Sequence, residues 1–427
     1  MIISDTATPV VVLKSIAHGG LGVVRSLGRL GIDVYTVEAD AWTPAFYSRY
    51  NRGSVRLDIE TAPAEQALYQ LERLAKRLGV PSIIIPSTDY AAIFLADHYE
   101  RLQRSFIFLQ QSSELLRKLY SKREMSYLAK EHGVFTAEAS FPLCRQDVLT
   151  FLETASFPLV LKAIDGTRLD ARCGKKMFIV NSAEELLSLY DAFEEPERPN
   201  LMLQEYVAGE DDSVWMFDGY FNKNSECLAA YTGKKLRQCP AFSGYTSLGV
   251  CLRNDVVHET ALRFLRGVNY SGLVDIDFRY DPRDGKYKML DVNPRLGATF
   301  RLFVAENDLD LVRAYYLDMT GQRVPSASLR EGRKWIVADL DFASSLRYYR
   351  CGQLKLIEWL ASLRGIEDAA FFAVDDLLPF FVRLTSDILD VSKRIFIKLR
   401  DRCVAPQQKT DRGFGDVLPT RSEAKTA

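Results

Sequence analysis

The chain has 427 residues, which is long for one hydrophobic core, so about two or three domains are expected. Its 55 lysine and arginine residues nearly balance 56 aspartate and glutamate residues, so no overall basic field exists to recruit nucleic acid. The seven cysteines are scattered and never spaced as CxxC, which argues against a disulfide framework or a zinc site. We expect a cytoplasmic protein, because unpaired cysteines fit that compartment and neither a signal peptide nor a membrane-spanning apolar run is evident.

The N-terminal part alternates short apolar strands with helices, which is typical of a parallel α/β domain. A strand at Val10–Leu13 precedes the glycine-rich turn HGGLG at 18–22, a helix, and a second strand that ends at Glu38. Two glycines and Glu38 suggest dinucleotide binding, but Arg25 replaces the third glycine of that fingerprint. A turn that lets the helix pack closely, or that lines a cleft, is the favoured interpretation.

A polar loop, PSTD at 86–89, follows a predicted strand at 82–85. Loops at the carboxyl ends of parallel strands are where such sheets bind ligands. Thr88 and Asp89 are therefore candidate substrate contacts, although Asp89 could instead only cap the helix that follows.

Two lysines lie where an anionic partner is expected. Lys122 stands near the start of a predicted helix, where the helix dipole disfavours a cation. Lys162 closes the apolar strand FPLVLK, so its ammonium group would be poorly solvated without an anion. The basic segment between Lys162 and the strand Met177–Val180 is predicted to be a flexible flap over phosphates. By itself, Lys122 would more often be an ordinary surface lysine.

The segment QEYVAGEDD at 204–212 combines the end of an apolar strand with a cluster of acids. An adenine ring needs an apolar slot with a backbone donor and acceptor, and acids can accept hydrogen bonds from ribose hydroxyls. Taken alone, the segment is more simply a strand, a turn and solvated acids. The basic cluster GKKLRQ at 233–238 is too small for a duplex-binding surface but suits a phosphate or a small anion.

Residues 272–303 contain the densest group of candidate functional side chains. Strands at 274–280 and 287–292, joined by a turn at 281–285, predict a hairpin. Asp277, Asp291 and Asn293 are predicted to share one face, where three oxygen ligands suit Mg²⁺. Arg295 and Arg301 lie just beyond and could hold phosphate or carboxylate oxygens. The alternative is a solvated hairpin with ordinary surface acids, which the apolar residues of the same strands disfavour.

Four of these segments, in this order, resemble the ATP-grasp superfamily and its carboxylate–amine ligase branch, which includes carbamoyl-phosphate-synthase-like and D-aspartate-ligase-like enzymes. They are Lys122 before a helix, FPLVLK ending at Lys162, QEYVAGEDD and LDVNPR. The resemblance covers residues 10–320 and implies a mixed α/β and α+β fold. It places a parallel α/β pre-ATP-grasp domain at 1–114 and an ATP-grasp domain at 115–325. Beyond the resemblance, the residues at 326–403 are predicted to form a mainly helical extension. The two lobes of the ATP-grasp domain are expected at about 120–206 and 207–320.

The resemblance also implies how a nucleotide would be held. Lys122 and Lys162 would contact the phosphates of ATP. Glu205 would meet the adenine amino group, and the backbone of Val207 would complete the adenine edge. The acid that binds ribose would be Asp212, with Glu210 as a near competitor.

Asp277, Asp291 and Asn293 occupy the Mg²⁺ positions of the family, where Mn²⁺ could substitute, and Arg295 the position that contacts the transferred phosphate. Asp291 is more often glutamate in the family, and its shorter side chain leaves open whether one or two metal ions bind. Asp275 lies on the same strand face as Asp277, so the choice between these two also remains open.

The function implied is an ATP-dependent ligase that phosphorylates a small carboxylate to an acylphosphate and joins it to an amine. Arg237 and Arg301 are predicted to hold the substrate carboxylate, because arginine can grip a carboxylate bidentately. The alternative is a non-catalytic nucleotide-binding or regulatory protein on the same fold. A nicotinamide oxidoreductase that uses the N-terminal domain ranks last. No nucleic-acid partner is expected.

The C-terminal part carries an apolar stripe within 377–399. Its members are Leu377, Phe381, Leu384, Ile388, Val391, Ile395 and Leu399. A helix packed on its own protein is the commonest explanation, and a homodimer contact or a membrane-surface helix is the alternative. The polar tail, 404–427, is expected to be disordered.

Overall fold

The computed structural model describes residues 1, 3–15, 18–164, 166–175, 177–209, 213–242, 244–389 and 392. Met1–Arg383 form one compact unit. Leu384–Ala427 form a second unit, in which residues 384–389 and 392 are described. The first unit contains three sheets in its described part.

Five parallel strands form the first sheet, in the spatial order β3-β2-β1-β4-β5. They are β1 (Val10–Leu13), β2 (Val34–Glu38), β3 (Asn51–Arg56), β4 (Ser82–Pro86) and β5 (Phe106–Ile107). The intervening helices are α1 (His18–Gly28), α2 (Ala64–Leu78), α3 (Asp89–Asp97) and α4 (Tyr99–Leu102). Val10 and Val11 on the central strand belong to separate buried clusters, as expected when helices cover both faces of a parallel sheet. The predicted parallel α/β domain is confirmed.

Helices α5 (Ser113–Tyr120) and α6 (Lys122–Glu131) lead to a second, antiparallel sheet with the order β6-β9-β7-β8. Its strands are β6 (Ala139–Ser140), β7 (Leu159–Ala163), β8 (Met177–Val180) and β9 (Leu201–Glu205). Its helices are α7 (Arg145–Leu152), α8 (Gly166–Cys173) and α9 (Ala183–Phe193). The predicted flap between β7 and β8 is therefore not a plain loop, because α8 occupies most of it. Its buried Leu169 packs in the same cluster as Leu161 of β7, an apolar anchor that the basic composition of the segment concealed.

The third sheet has seven strands in the order β14-β13-β10-β11-β12-β15-β16. They are β10 (Val214–Phe221), β11 (Cys227–Cys239), β12 (Tyr245–Cys251), β13 (Gly272–Asp281), β14 (Lys286–Asn293), β15 (Lys334–Ile336) and β16 (Ile366–Ala369). Between them lie α10 (Asp255–Gly267), α11 (Leu311–Met319), α12 (Ala338–Arg350) and α13 (Leu356–Ser362). Phe264 of α10 packs with Ile276 and Phe278 of β13 on one face of this sheet. Asp275 and Asp277 lie on the opposite face of the same sheet.

The predicted hairpin is confirmed as β13 and β14, and the strand β11 was missed. The basic cluster at 233–238 lies within this strand and not in a loop. The polar residues of the cluster weaken the apolar alternation by which a strand is recognised in a sequence.

The glycine-rich segment at 18–22, which was predicted to be a turn before the helix, forms the start of α1 and packs against the segment that follows β14. A Cβ atom at Gly19 would lie 3.0 Å from Ala298 Cα, and one at Gly22 would lie 2.9 Å from the Phe300 ring. Protein atoms therefore fill the space that a dinucleotide phosphate would need beside these glycines. This contact supports close helix packing and removes the basis for the dinucleotide hypothesis.

The C-terminal part of the first unit contains α12 and α13, and residues 378–389 are helical. In the predicted apolar stripe, Leu377 and Phe381 are exposed in the first unit, and Leu384 and Ile388 are exposed in the second. The other stripe residues and the predicted disordered tail lie outside the described residues. A homodimer or membrane-surface contact through this segment stays a prediction. Within the described part of the chain, no helix combines the length and the apolar character needed to cross a membrane.

Candidate functional site

Neighbouring strands of the third sheet present one face with an ordered pattern of polar side chains. Asp277 on β13 lies directly opposite Asp291 on β14. The adjacent row contains Asn293, Asp275 and Asp218 on β14, β13 and β10. Because side chains alternate between the faces of a strand, both rows project to the same side. The register confirms that Asp277, Asp291 and Asn293 share one face.

A cleft of about 980 Å³ runs along this face, between the third sheet, the second sheet and α12. Its volume is within the range of small-molecule and cofactor sites. Many of the residues predicted from the sequence line it together: Lys122, Lys162, Glu205, Val207, Arg237, Asp277 and Asp291. The cleft therefore assembles groups that lie far apart in the chain.

Lys122 enters the cleft from the first turn of α6. The hydroxyl of Ser121 caps this helix by accepting a hydrogen bond from the backbone N–H of Glu124 at 3.4 Å. Lys122 Nζ lies 3.2 Å from Asp291 Oδ1. The lysine thus has the anionic partner that its position at a helix start predicted, and the partner is one of the predicted metal ligands.

Lys162 projects from β7 on the opposite wall. Burial, and then the positive charge of Lys122, lower the pKa of Lys162 to about 7, while the carboxylate of Asp291 acts in the other direction. Within the described ranges, no carboxylate lies within ion-pair distance of the Lys162 ammonium. The anion predicted for this lysine is therefore not supplied by the part of the chain that the structure describes.

Lys235 on β11 is a further cationic group of the cleft. Its side chain is 8% exposed, and its Nζ lies 2.7 Å from Asp277 Oδ2. The sequence singled out the cluster at 233–238 but not this residue. The two-residue period of a strand could have distinguished it, because Lys235 and Gly233 are two residues apart and share the cleft face, whereas Lys234 faces the other side.

Asp275 and Asp277 differ in their surroundings. Asp275 Oδ2 accepts hydrogen bonds from Arg295 Nη1 at 3.1 Å and from Asn293 Nδ2 at 3.3 Å. Burial raises the pKa of Asp275 to about 6, and burial also raises the pKa of neighbouring Asp218 well above its ordinary value. Asp275 does not line the cleft, whereas Asp277 does. The geometry therefore favours Asp277 as the metal ligand.

Arg295 sits between two acids and lines a small cavity beside Pro86 and Leu273, not the cleft itself. In addition to its contact with Asp275, its Nε lies 3.7 Å from Oδ1 of Asp89, the first residue of α3. The preceding residue, Thr88, caps α3, since its hydroxyl accepts a hydrogen bond from the N–H of Ala91. Asp89 is therefore available for Arg295, and burial raises the pKa of this carboxyl.

Glu205 stands at the adenine end predicted for the cleft, but its carboxylate is already engaged. It accepts hydrogen bonds from Lys288 Nζ at 2.9 Å and from Arg283 Nη2 at 2.7 Å. Val207 is buried and lines the cleft beside it. These contacts favour the backbone at Val207 over the Glu205 side chain as the adenine-binding group. Glu210 and Asp212, the predicted ribose-binding acids, lie outside the described residues.

Arg237 and Arg301 are held in ion pairs with carboxylates of this chain. Arg237 binds Asp341 bidentately at 2.8 and 2.9 Å. Arg301 binds Asp310 at 2.6 Å and Asp368 at 3.0 Å. Both arginines were predicted to hold a substrate carboxylate, whereas the carboxylates that they contact in this structure belong to α12, the start of α11 and β16. Arg237 lines the cleft, so a substrate carboxylate there would compete with Asp341.

The donor set of the cleft fits a hard divalent cation that also binds a nucleotide. Two carboxylates, Asp277 and Asp291, face each other across neighbouring strands, and Asn293 stands beside them. No group of three or more histidine, cysteine, aspartate or glutamate side chains in the described ranges is arranged to hold a metal ion by itself. Mg²⁺ bound here would therefore need phosphate oxygens and water to complete its coordination, as is usual for this ion.

The chain is similar to several ligases and carboxylases of known structure. It superposes on N5-carboxyaminoimidazole synthetase from Staphylococcus aureus in complex with ADP, with a TM-score of 0.59 and 13% identity over 76% of this chain and 81% of that one. It superposes on L-amino acid ligase from Bacillus licheniformis with a TM-score of 0.54 and 13% identity over 73% of both chains. The chain has the ATP-grasp fold. The fold class and the resemblance predicted from the sequence are confirmed.

Two further comparisons extend this finding. The biotin carboxylase domain dimer of 2-oxoglutarate carboxylase from Hydrogenobacter thermophilus, in complex with MgADP and bicarbonate, superposes with a TM-score of 0.56 and 16% identity over 77% of this chain and 74% of that one. In sequence, D-aspartate ligase from Enterococcus faecium is 25% identical over 242 residues, which is 54% of this chain and 57% of the ligase. The matching region thus spans little more than half of that relative. No family model matches the chain.

Proposed function

We propose that the protein is an ATP-dependent carboxylate–amine ligase that forms an amide through an acylphosphate intermediate. One observation supports the proposal: Lys122, Lys162, Asp277 and Asp291 line one cleft, which is also lined by Val207 just beyond the end of the apolar strand β9. Cations for phosphates, hard oxygen ligands for a metal ion and a slot for a base are the three requirements of a Mg-ATP site. The proposal includes the predicted domains at 1–114, 115–325 and 326–403.

In this proposal each group of the cleft has a defined task. The backbone at Val207 binds the adenine edge, and Lys122 and Lys162 neutralise phosphate oxygens. Asp277 and Asp291, with Asn293 beside them, would hold Mg²⁺, which supplies positive charge to the phosphate oxygens as charge develops there.

The chemistry has two steps. A substrate carboxylate oxygen bonds to the γ-phosphorus of ATP, and the bond to the bridging oxygen breaks, which releases ADP and leaves an acylphosphate. The nitrogen of the amine then attacks the acyl carbon, the carbon–oxygen bond to phosphate breaks, and the nitrogen loses a proton. Arg295 would stabilise the transferred phosphoryl group, because its Nη2 has no hydrogen-bond partner within the described ranges while Asp275 and Asp89 hold the rest of the guanidinium.

The substrates are proposed to be small molecules, one with a carboxylate and one with an amine. D-Aspartate is the first acid to test, since the relative from Enterococcus faecium is a D-aspartate ligase. Because Arg237 and Arg301 are paired with other carboxylates, the substrate carboxylate is expected to lie nearer Lys162 and Arg295.

The test is ADP release from the full chain with Mg²⁺, ATP, a pool of small carboxylates including D-aspartate, and a pool of amines. The ligase proposal predicts ADP release that needs a carboxylate, and trapping of the acylphosphate as a hydroxamate when hydroxylamine replaces the amine. Asp291→Ala should abolish both with the fold intact, whereas Asp284→Ala, in the exposed hairpin turn, should not. Nucleotide binding without any turnover would instead support the regulatory alternative.

A further inference from the structure

We propose that Lys235 and Lys122 form ion pairs with the two metal-binding carboxylates until nucleotide phosphates bind. The protein would then take up its divalent cation together with the nucleotide and not alone. Lys235 is then a third phosphate-binding lysine of the cleft. The inference rests on the proposed function, because it requires Mg-ATP to bind at Asp277 and Asp291.

The geometry of Lys235 is the first support. Asp277 lies on β13 and Lys235 on β11, so the lysine reaches across β10 to make its 2.7 Å contact. In the row of Asp277, the β10 position is Met216 and the β11 position is Gly233, so Lys235, two residues beyond Gly233, approaches Asp277 diagonally across β10. With only 8% of its side chain exposed, Lys235 is confined to the cleft wall.

The pairing of both carboxylates is the second support. Lys235 neutralises Asp277, and Lys122 neutralises Asp291 at 3.2 Å. Two lysines and two carboxylates sum to zero charge, so a free divalent cation meets no net attraction here and is repelled by the nearby ammonium groups. Phosphate oxygens reverse this balance, because they accept hydrogen bonds from the lysines and release the carboxylates toward the metal ion.

Lys234 provides a matched control on the same strand. It faces the other side of the sheet, where its Nζ lies 5.9 Å from the centre of the Trp215 ring. Lys234→Met removes the same charge from the neighbouring position without touching the carboxylate pair.

The experiment measures Mn²⁺ binding to the full chain by electron paramagnetic resonance, first with Mn²⁺ alone and then with Mn²⁺ and a non-hydrolysable ATP analogue. We expect wild-type protein to bind the Mn²⁺–nucleotide complex and to bind Mn²⁺ alone far more weakly. Lys235→Met should bind Mn²⁺ alone about tenfold or more tightly than wild type, and the Mn²⁺–nucleotide complex about tenfold more weakly. Lys234→Met should match wild type, and Lys235→Arg should retain the exclusion of Mn²⁺ alone. Thermal unfolding of each variant establishes that it is folded.

The outcomes separate this inference from the proposed function. Wild-type protein that binds the Mn²⁺–nucleotide complex, and binds Mn²⁺ alone equally well, overturns the inference and leaves the ATP site intact. Equal effects of Lys235→Met and Lys234→Met also overturn it. Failure of wild-type protein to bind the nucleotide complex overturns both.

Discussion

The lowered pKa of Lys162 gives a prediction that a calorimeter can measure. In the free protein, burial and the charge of Lys122 hold this pKa at about 7. At pH 8 about nine tenths of the Lys162 side chains are then neutral, as follows from a pKa one unit below the pH. Nucleotide phosphates placed beside Lys162 favour its charged form and raise its pKa toward the ordinary value for lysine. Nucleotide binding should therefore take up about 0.9 proton per site at pH 8.

The sign of the effect fixes its pH dependence. Below the free-protein pKa the lysine is already charged, so proton uptake falls from about 0.9 at pH 8 to roughly 0.5 at pH 7 and about 0.1 at pH 6. Isothermal titration of the non-hydrolysable ATP analogue with Mg²⁺, in buffers of different ionisation enthalpy, reports this number as the slope of binding heat against buffer enthalpy. The same slope should appear with either substrate absent.

Two variants determine whether the proton belongs to Lys162. Lys162→Met should bind the nucleotide more weakly and take up no proton at pH 8. Lys122→Met should reduce the uptake, because the loss of its charge raises the pKa of Lys162 in the free protein. Wild-type binding without proton uptake, or an unchanged slope in Lys162→Met, would refute the reasoning.

The other predictions concern the framework of the cleft. Asp341→Ala should lower the free energy of unfolding by about 3–5 kcal/mol, because it leaves the buried charge of Arg237 without its bidentate partner. Urea denaturation measures this change, with the exposed variant Asp255→Ala as the control. Thr88→Ala should cost about 1 kcal/mol in the same assay through loss of the α3 cap, and a change within error would contradict the capping role. Gly22→Val should lower the melting temperature, because its side chain would collide with the Phe300 ring, whereas Gly31→Asn, which meets open space and only the strain of a φ of +85°, should lower it less.

The sequence predicted those elements whose side chains follow one period without interruption. The strands β1, β4 and β8 lie where they were predicted, β4 with one further residue, since each is a continuous apolar run. The hairpin was found because a turn separates two alternating segments. In contrast, β11 carries lysines, an arginine and a bulge, and these break the alternation by which a strand is recognised.

The candidate site was predictable in its residue types but not in its pairings. Motif order identified Lys122, Lys162, Asp277 and Asp291, which the fold brings into one cleft. Which cation meets which carboxylate depends on contacts between residues distant in sequence. Arg237 meets Asp341 across 104 positions, and no local pattern carries that information.

The three arginines show how such pairings assign roles. Arg237 of β11 binds the carboxylate of Asp341 through Nε and Nη2, and Arg301, in the segment after β14, binds Asp310 and Asp368 through its two Nη groups. The two arginines therefore tie these segments to their flanking elements. Arg295 instead has one hydrogen bond to Asp275 and a looser 3.7 Å approach to Asp89. Asp89 follows the carboxyl end of β4, so the N-terminal sheet helps to orient the residue proposed to meet the transferred phosphoryl group. A change in the loop after β4 should therefore alter turnover more than nucleotide affinity, since Lys122 and Lys162 do not depend on that loop.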